Sequence, residues 1–149
     1  MPAIKKQVLP INFFLEDTGY RLKDKLNIKH WVNQTIIAEG YTLQELNFIL
    51  CSDEYLLNIN QEYLNHDTYT DIITFDNSEE EKVIYGDIFI SIDRVKENAK
   101  TFKVKTVDEL HRVIIHGTLH LLGYLDKKKQ DKARMTEKED FYLQARGFQ

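Results

Sequence analysis

Two hydrophobic periods alternate along the chain, and each change of period marks an element. Ile11 to Leu15 (INFFL) is a short apolar run, and Tyr41 to Cys51 ends in another, LNFILC; both suit the interior of a sheet. Between them, Leu22 to Glu39 carries apolar residues at helical spacing. That spacing predicts Leu22, Leu26, Val32 and Ile36 on or near an inner face, His30 and Trp31 in the helix's packing or rim, and Gly40 as the stop. Ser52 is predicted to cap a helix through DEYLLNINQEYL, with Asp53 and Glu54 in the first turn, where the helix dipole favours negative charge.

Asn65 to Asp71 is a polar loop, and Ile72 to Phe75 (IITF) a strand leaving it. After the acidic link Asp76 to Glu81, Val83 to Ile92 is predicted to have an antiparallel partner, with Gly86 marking a bulge or a close backbone approach. Asp93 is predicted to cap a helix through Phe102. Thr106 and Glu109 then spell a T-x-x-E capping box, and a last surface helix runs from Gln130 to about Ala145. The order β-α-β-α-β-β-α-α-α predicts an α+β fold, one domain over residues 1–149 in which a mixed four-stranded sheet is packed with helices.

The chemistry concentrates in Glu109 to Asp126, ELHRVIIHGTLHLLGYLD. This stretch is apolar around most of its circumference, yet His116 and His120 interrupt it one helical turn apart and so share a face. Gly123 stands where a left-handed cap would reverse the chain and bring Asp126 back toward the two rings. Two histidines and one carboxylate form a ligand set for one catalytic zinc ion, with a coordination position left open. The spacing invites comparison with the HExxHxxGxxH zinc proteases, whose general base follows the first histidine. Here that position is Gly117, which cannot move a proton, so peptide hydrolysis by that route is disfavoured.

By the same helical count, Arg112 lies about 40° from His116, and His111 about 140° away. Arg112 therefore faces the metal side, with an exposed ion pair to Glu109 as its alternative role, and His111 is expected to be structural or solvent-facing. His66, in the polar loop, is a weak alternative ligand, and the single cysteine, Cys51, reads as a small core residue that excludes an internal disulfide framework.

With 42% hydrophobic and 30% charged residues the composition is that of a globular protein, and a net charge of -4 argues against wholesale nucleic-acid binding. The charge is not evenly spread. Acidic residues cluster in Asp71 to Asp87, while Arg94 to Arg112 and Lys127, Lys128, Lys129, Lys132 and Arg134 flank the histidine motif with positive charge able to hold a phosphate backbone. The apolar run near Lys5 and Lys6 is broken by Pro10 and Asn12, so neither an export signal nor a membrane span is predicted, and a cytoplasmic location is expected.

HGTLHLLGY, from His116 to Tyr124, is similar to the signature of the YbeY endoribonucleases. The resemblance extends to Asn60, Asp67, Thr70 and Phe75, to GDIFIS from Gly86 to Ser91, and to the Met135 to Glu139 region, and so covers most of the chain. It implies a metal-dependent endoribonuclease that acts on single-stranded RNA in the maturation of small-subunit ribosomal RNA, with the ribosomal small subunit as partner. It also implies zinc ligands at His116, His120 and position 126. The family's Asp-His pair is Leu125-Asp126 here, which makes the third ligand a carboxylate, and the family's catalytic arginine is replaced by Leu64. Arg112 is the candidate to supply that charge, and Lys127, Lys128 and Lys129 to bind substrate. Another metal hydrolase, or a non-enzymatic assembly factor with a structural metal, is the competing expectation.

Overall fold

The structure, a computed structural model, describes residues 9–66 and 68–148; Asp67, Lys5 and Lys6 lie outside the described residues. In chain order the elements are β1 (Ile11–Glu16), α1 (Lys25–Ala38), β2 (Thr42–Cys51), α2 (Asp53–Leu64), β3 (Ile72–Asp76), β4 (Val83–Ser91), α3 (Ile92–Phe102), α4 (Thr106–Leu121) and α5 (Lys129–Gln144). The strands form one mixed sheet in the order β1-β2-β4-β3. β1 and β4 both run parallel to β2, and β3 closes against β4 as the antiparallel partner expected from the sequence.

Alternation along the strands gives the sheet two apolar faces of unequal size. Leu46, Phe48, Leu50, Ile88 and Ile90 point into the main core, where α1, α3, α4 and α5 add Val32, Val95, Ile114 and Met135. Cys51 and Ile73 face the other way and are covered by Leu56 of α2. Burial raises the Cys51 thiol to about 12, as suits an inert core cysteine.

Gly86 marks a close approach. A Cβ there would stand 2.5 Å from the Phe75 carbonyl oxygen, and the sheet's register shift falls elsewhere, between Leu43 and Glu45. Ser52 caps α2 as expected, accepting from the Tyr55 N–H at 3.1 Å.

Four local expectations are corrected. Leu26 is 68% exposed, because the buried stripe of α1 runs through Ile28, Trp31, Val32, Thr35 and Ile36, and Leu26 lies off it. Ser91, not Asp93, caps α3 by accepting from the Arg94 N–H, while the Asp93 carboxylate accepts from the Asp53 N–H at the start of α2. No capping box opens α4: Lys105 is the N-cap, so Thr106 is already helical and Glu109 is turned inward, 4% exposed. Finally, α5 is more than a surface helix, since it buries Met135, Glu139 and Tyr142 at one-turn intervals.

Candidate metal centre

α4 carries the centre because it is the helix most deeply embedded in the fold. Its Gly117 sits against the sheet: a Cβ there would meet Ile72 Cδ1 at 2.7 Å and Ile88 Cγ2 at 3.0 Å. The side chain missing at this position therefore has a packing cause as well as the chemical consequence read from the sequence. With that face pressed on β3 and β4, His116 and His120 project from the exposed edge. Their ring centroids are 4.5 Å apart and their planes 84° to one another.

The helix ends in a paired cap. The Gly123 N–H donates to His120 O at 3.0 Å and the Tyr124 N–H to Leu119 O at 3.0 Å, with Gly123 at φ 96°. These bonds satisfy the last carbonyls and turn the chain back. The reversal brings Asp126 Oδ2 to 3.3 Å from both His116 Nε2 and His120 Nε2. All three ligand atoms lie within 4.8 Å of one another. Donors about 2.1 Å from a tetrahedral zinc ion stand about 3.4 Å apart, so the two histidine-aspartate separations fit such an ion.

The far nitrogens fix the rings. His120 Nδ1 is 3.0 Å from the Tyr124 carbonyl oxygen, which can only accept, so Nδ1 carries the proton and Nε2 presents its lone pair. His116 Nδ1 is 2.6 Å from Glu139 Oε2, and donation to that carboxylate sets the same tautomer. Burial works against charge on His116, but the Glu139 hydrogen bond and charge, with Asp126 and Asp71 beyond, outweigh it and raise its pKa. A divalent ion at Nε2 would occupy the same favourable field.

Glu139 is itself held. Arg112 Nη1 donates to Glu139 Oε1 at 2.9 Å, and its Nη2 donates to Asp140 Oδ1 at 3.0 Å. Arg112 thus faces the site as the helical count predicts, but its ion pairs are to these two carboxylates of α5 and not to Glu109. Glu109 lies in a cavity of about 80 Å³ with Asp71, Arg112, Val113, His116 and Glu139. Burial, aided by the charges of Asp71 and Glu139 and opposed by Arg112, raises its pKa.

The other candidates are dispersed. Lys127, Lys128 and Lys129 follow Asp126 directly, exposed, at the entry to α5. His111 is fully buried between Trp31 and Phe148, with Nδ1 2.8 Å from Arg146 Nη1, and burial lowers its pKa to about 4. Of the two roles expected, structural or solvent-facing, it has the structural one. His66 is exposed beyond the end of α2, and Leu64 is 41% exposed on that helix's last turn. Buried Asn60 donates to Thr68 O at 2.7 Å and so ties down the loop between α2 and β3. Sequence reasoning gave no role to Glu139 or to the Tyr124 carbonyl. A signal for Glu139 did exist: Met135, Glu139 and Tyr142 form a helical stripe with one carboxylate in its middle.

Three side chains that could hold a metal ion, with both imidazoles secured from behind, are features that a metal-dependent hydrolase needs. The comparisons specify the class further. Residues 16–147 match the family model described as endoribonuclease YbeY. A protein of that name from Cytophaga hutchinsonii is 55% identical over 93% of this chain and 96% of its own length; one from Karelsulcia muelleri is 51% identical over 89% and 93%. The solution structure of a Thermotoga maritima protein matches with a TM-score of 0.65 and 31% identity, over 90% of this chain and 88% of that one. The chain belongs to the endoribonuclease YbeY family.

Proposed function

We propose that this endoribonuclease cuts single-stranded RNA with one zinc ion held by His116, His120 and Asp126, within a single domain over residues 1–149. The observation that carries the reading is the convergence of two Nε2 atoms on Asp126 Oδ2, with both Nδ1 atoms already engaged. When bound, the ion supplies Lewis-acid polarisation of a phosphoryl oxygen. Glu139 and the Tyr124 carbonyl hold the imidazoles in the tautomer that can bind it. Asp126, in place of the histidine that the family resemblance implies, makes the ligand set one charge more negative.

Arg112 is assigned the stabilisation of charge developing on the phosphate. It spends one donor on Glu139 and one on Asp140, and a guanidinium carries five. Its pKa is raised further by those carboxylates against the effect of burial, so the charge is permanent. Lys127, Lys128 and Lys129, exposed beside Asp126, are assigned the RNA backbone. The substrate is ribosomal RNA of the small subunit, which places the protein in the cytoplasm; among the described residues no helix is long and apolar enough to cross a membrane.

Metal analysis of the purified protein, joined to cleavage of a precursor of small-subunit ribosomal RNA with and without chelator, tests the reading. One equivalent of zinc and chelator-sensitive cutting are expected. Chelator-resistant cutting, or a full equivalent retained by His120→Ala, rejects the centre. Arg112→Ala should keep the zinc and lose roughly 10²–10³ in cleavage rate, the range for a preorganised donor to a developing charge. Arg112→Lys should recover only part, because lysine lacks the planar fork.

A further inference from the structure

On the outer side of the turn that carries Asp126 lies a second cavity, of about 400 Å³, lined by Tyr41, Lys82, Tyr124, Leu125, Asp131 and Arg134, with Glu39 at its edge. These side chains come from the start of β2, the β3–β4 connection, the turn after α4, and α5. Lys82 Nζ stands 4.5 Å from the Tyr41 ring centroid, and Arg134 Cζ 5.6 Å from that of Tyr124. Lys138 Nζ adds a third cation 5.7 Å from the Tyr124 ring. Among the described residues, Lys82 and Arg134 form no ion pair with a carboxylate, in contrast to Arg112, Arg94 and Arg146. Of the carboxylates lining the cavity, Glu39 is occupied by the hydroxyls of Tyr124 and Tyr142 and by Lys138, and Asp131 lies with the two cations; Asp76, Glu79, Glu80 and Glu81 line the adjoining cavity on the other side of Lys82.

Both phenols lining the cavity are also engaged with the protein. Tyr41 OH donates to Leu122 O at 3.1 Å, and Tyr124 OH donates to Glu39 at 2.5 Å. The cavity therefore offers a ligand two cations free of ion pairs, with Asp131 beside them, aromatic rings and the 65% exposed Leu125 side chain. That combination suits an unpaired nucleotide: cations track the phosphate, apolar and aromatic surface takes the base, and base edges are not read. The size agrees with a single nucleotide, since sites for small ligands begin near ~300 Å³. The cavity also shares its wall with the metal centre, for the Tyr124 carbonyl holds His120 and Asp126 follows two residues later.

We propose that this cavity is a nucleotide subsite, in which Lys82 and Arg134 bind a phosphate of single-stranded RNA and the neighbouring base lies against Tyr124 and Leu125 without being identified. The assignment rests on the RNA-cutting reading above.

Fluorescence anisotropy tests it on full-length, chelator-treated protein, with labelled octamers of uridylate and of adenylate and an RNA hairpin as probes. Lys82→Ala and Arg134→Ala should each weaken single-strand binding about five- to tenfold, equally for both octamers. Each should also flatten the dependence of log Kd on log salt by about 0.7, the value for one single-strand phosphate. The hairpin should bind worse than either octamer. Where metal-free binding is too weak to measure, KM for cleavage by the zinc-loaded protein should rise by the same factor, with kcat held within about twofold. Variants that bind and cut like the wild type overturn the subsite while leaving the nuclease intact. A loss that differs tenfold between uridylate and adenylate overturns the absence of base readout. A wild type that neither binds nor cuts RNA rejects the functional reading itself, and the subsite with it.

Discussion

Glu139 is the side chain that orients His116, as the Tyr124 carbonyl orients His120. It is 6% exposed, holds His116 at 2.6 Å and is held by Arg112. Glu139→Gln keeps an acceptor for His116 Nδ1 but removes the charge that makes the imidazole a better donor to a metal. Zinc affinity should fall about 10–100-fold in a competition titration against a chromogenic chelator, the usual effect of losing an outer-shell partner. Wild-type affinity in this variant would show that Glu139 acts on stability alone. His111 gives the pH counterpart. Its folded pKa of about 4 lies below the ordinary histidine value, because burial disfavours the charged ring and Arg146 opposes it too. As pH falls, the unfolded chain takes up this proton first. The contribution is therefore complete above about pH 6.5, lost on descending to about pH 4, and roughly 3 kcal/mol in size. His111→Asn, which keeps an acceptor for Arg146, should flatten this limb of a denaturation series; the same slope in both proteins would place the titration elsewhere.

At the scale of elements, what the sequence revealed follows from how local each cause is. Helices and strands were legible because their periods are local; Ser52 caps α2 and Gly123 reverses α4 as read, whereas the starts of α3 and α4 were each misread by one or more residues. His116, His120 and Asp126 were legible for the same reason, all lying within one helix and the turn after it. Glu139 was not, because its partner is on another helix and the composition of α5 reads as solvated. Arg112 shows both sides: its direction follows from helical geometry, but its partners depend on how α5 packs on α4. The strand order was likewise hidden, since β4 inserting between β2 and β3 is decided by crossovers and not by any one strand. Gly86 is a case where a local signal carried a tertiary meaning. Gly86→Ala would drive Cβ into the Phe75 carbonyl at 2.5 Å, where β3 cannot retreat without breaking its pairing to β4. The loss should be about 1–3 kcal/mol or more in urea unfolding. A neutral result would mean that the β3–β4 ladder yields more freely than its register indicates.

At the scale of the whole molecule, the centre joins parts of the chain that the core connects only in part. α4 supplies two of the proposed ligands, the turn after it the third, and α5 the carboxylate that orients the first. Glu39 at the end of α1 fastens the same region through Tyr124 and Tyr142, and Trp31 Nε1 donates to Tyr142 O at 2.8 Å. An ion bound to this arrangement and not to the unfolded chain adds RT ln(1 + [M]/Kd) to stability, about 4 kcal/mol at a thousandfold excess over Kd. For a chain of this size that raises Tm by roughly 10 °C. The increment should climb with the logarithm of free zinc and disappear with chelator. It should shrink in Glu139→Gln by the factor its weaker affinity predicts, and vanish in His120→Ala. Asp126→His, which puts in the third histidine that the family resemblance implies, should keep or enlarge it. A Tm that ignores zinc in the wild type would mean that these three side chains meet without holding an ion. A Tm that rises equally in His120→Ala would place the bound ion elsewhere on the molecule.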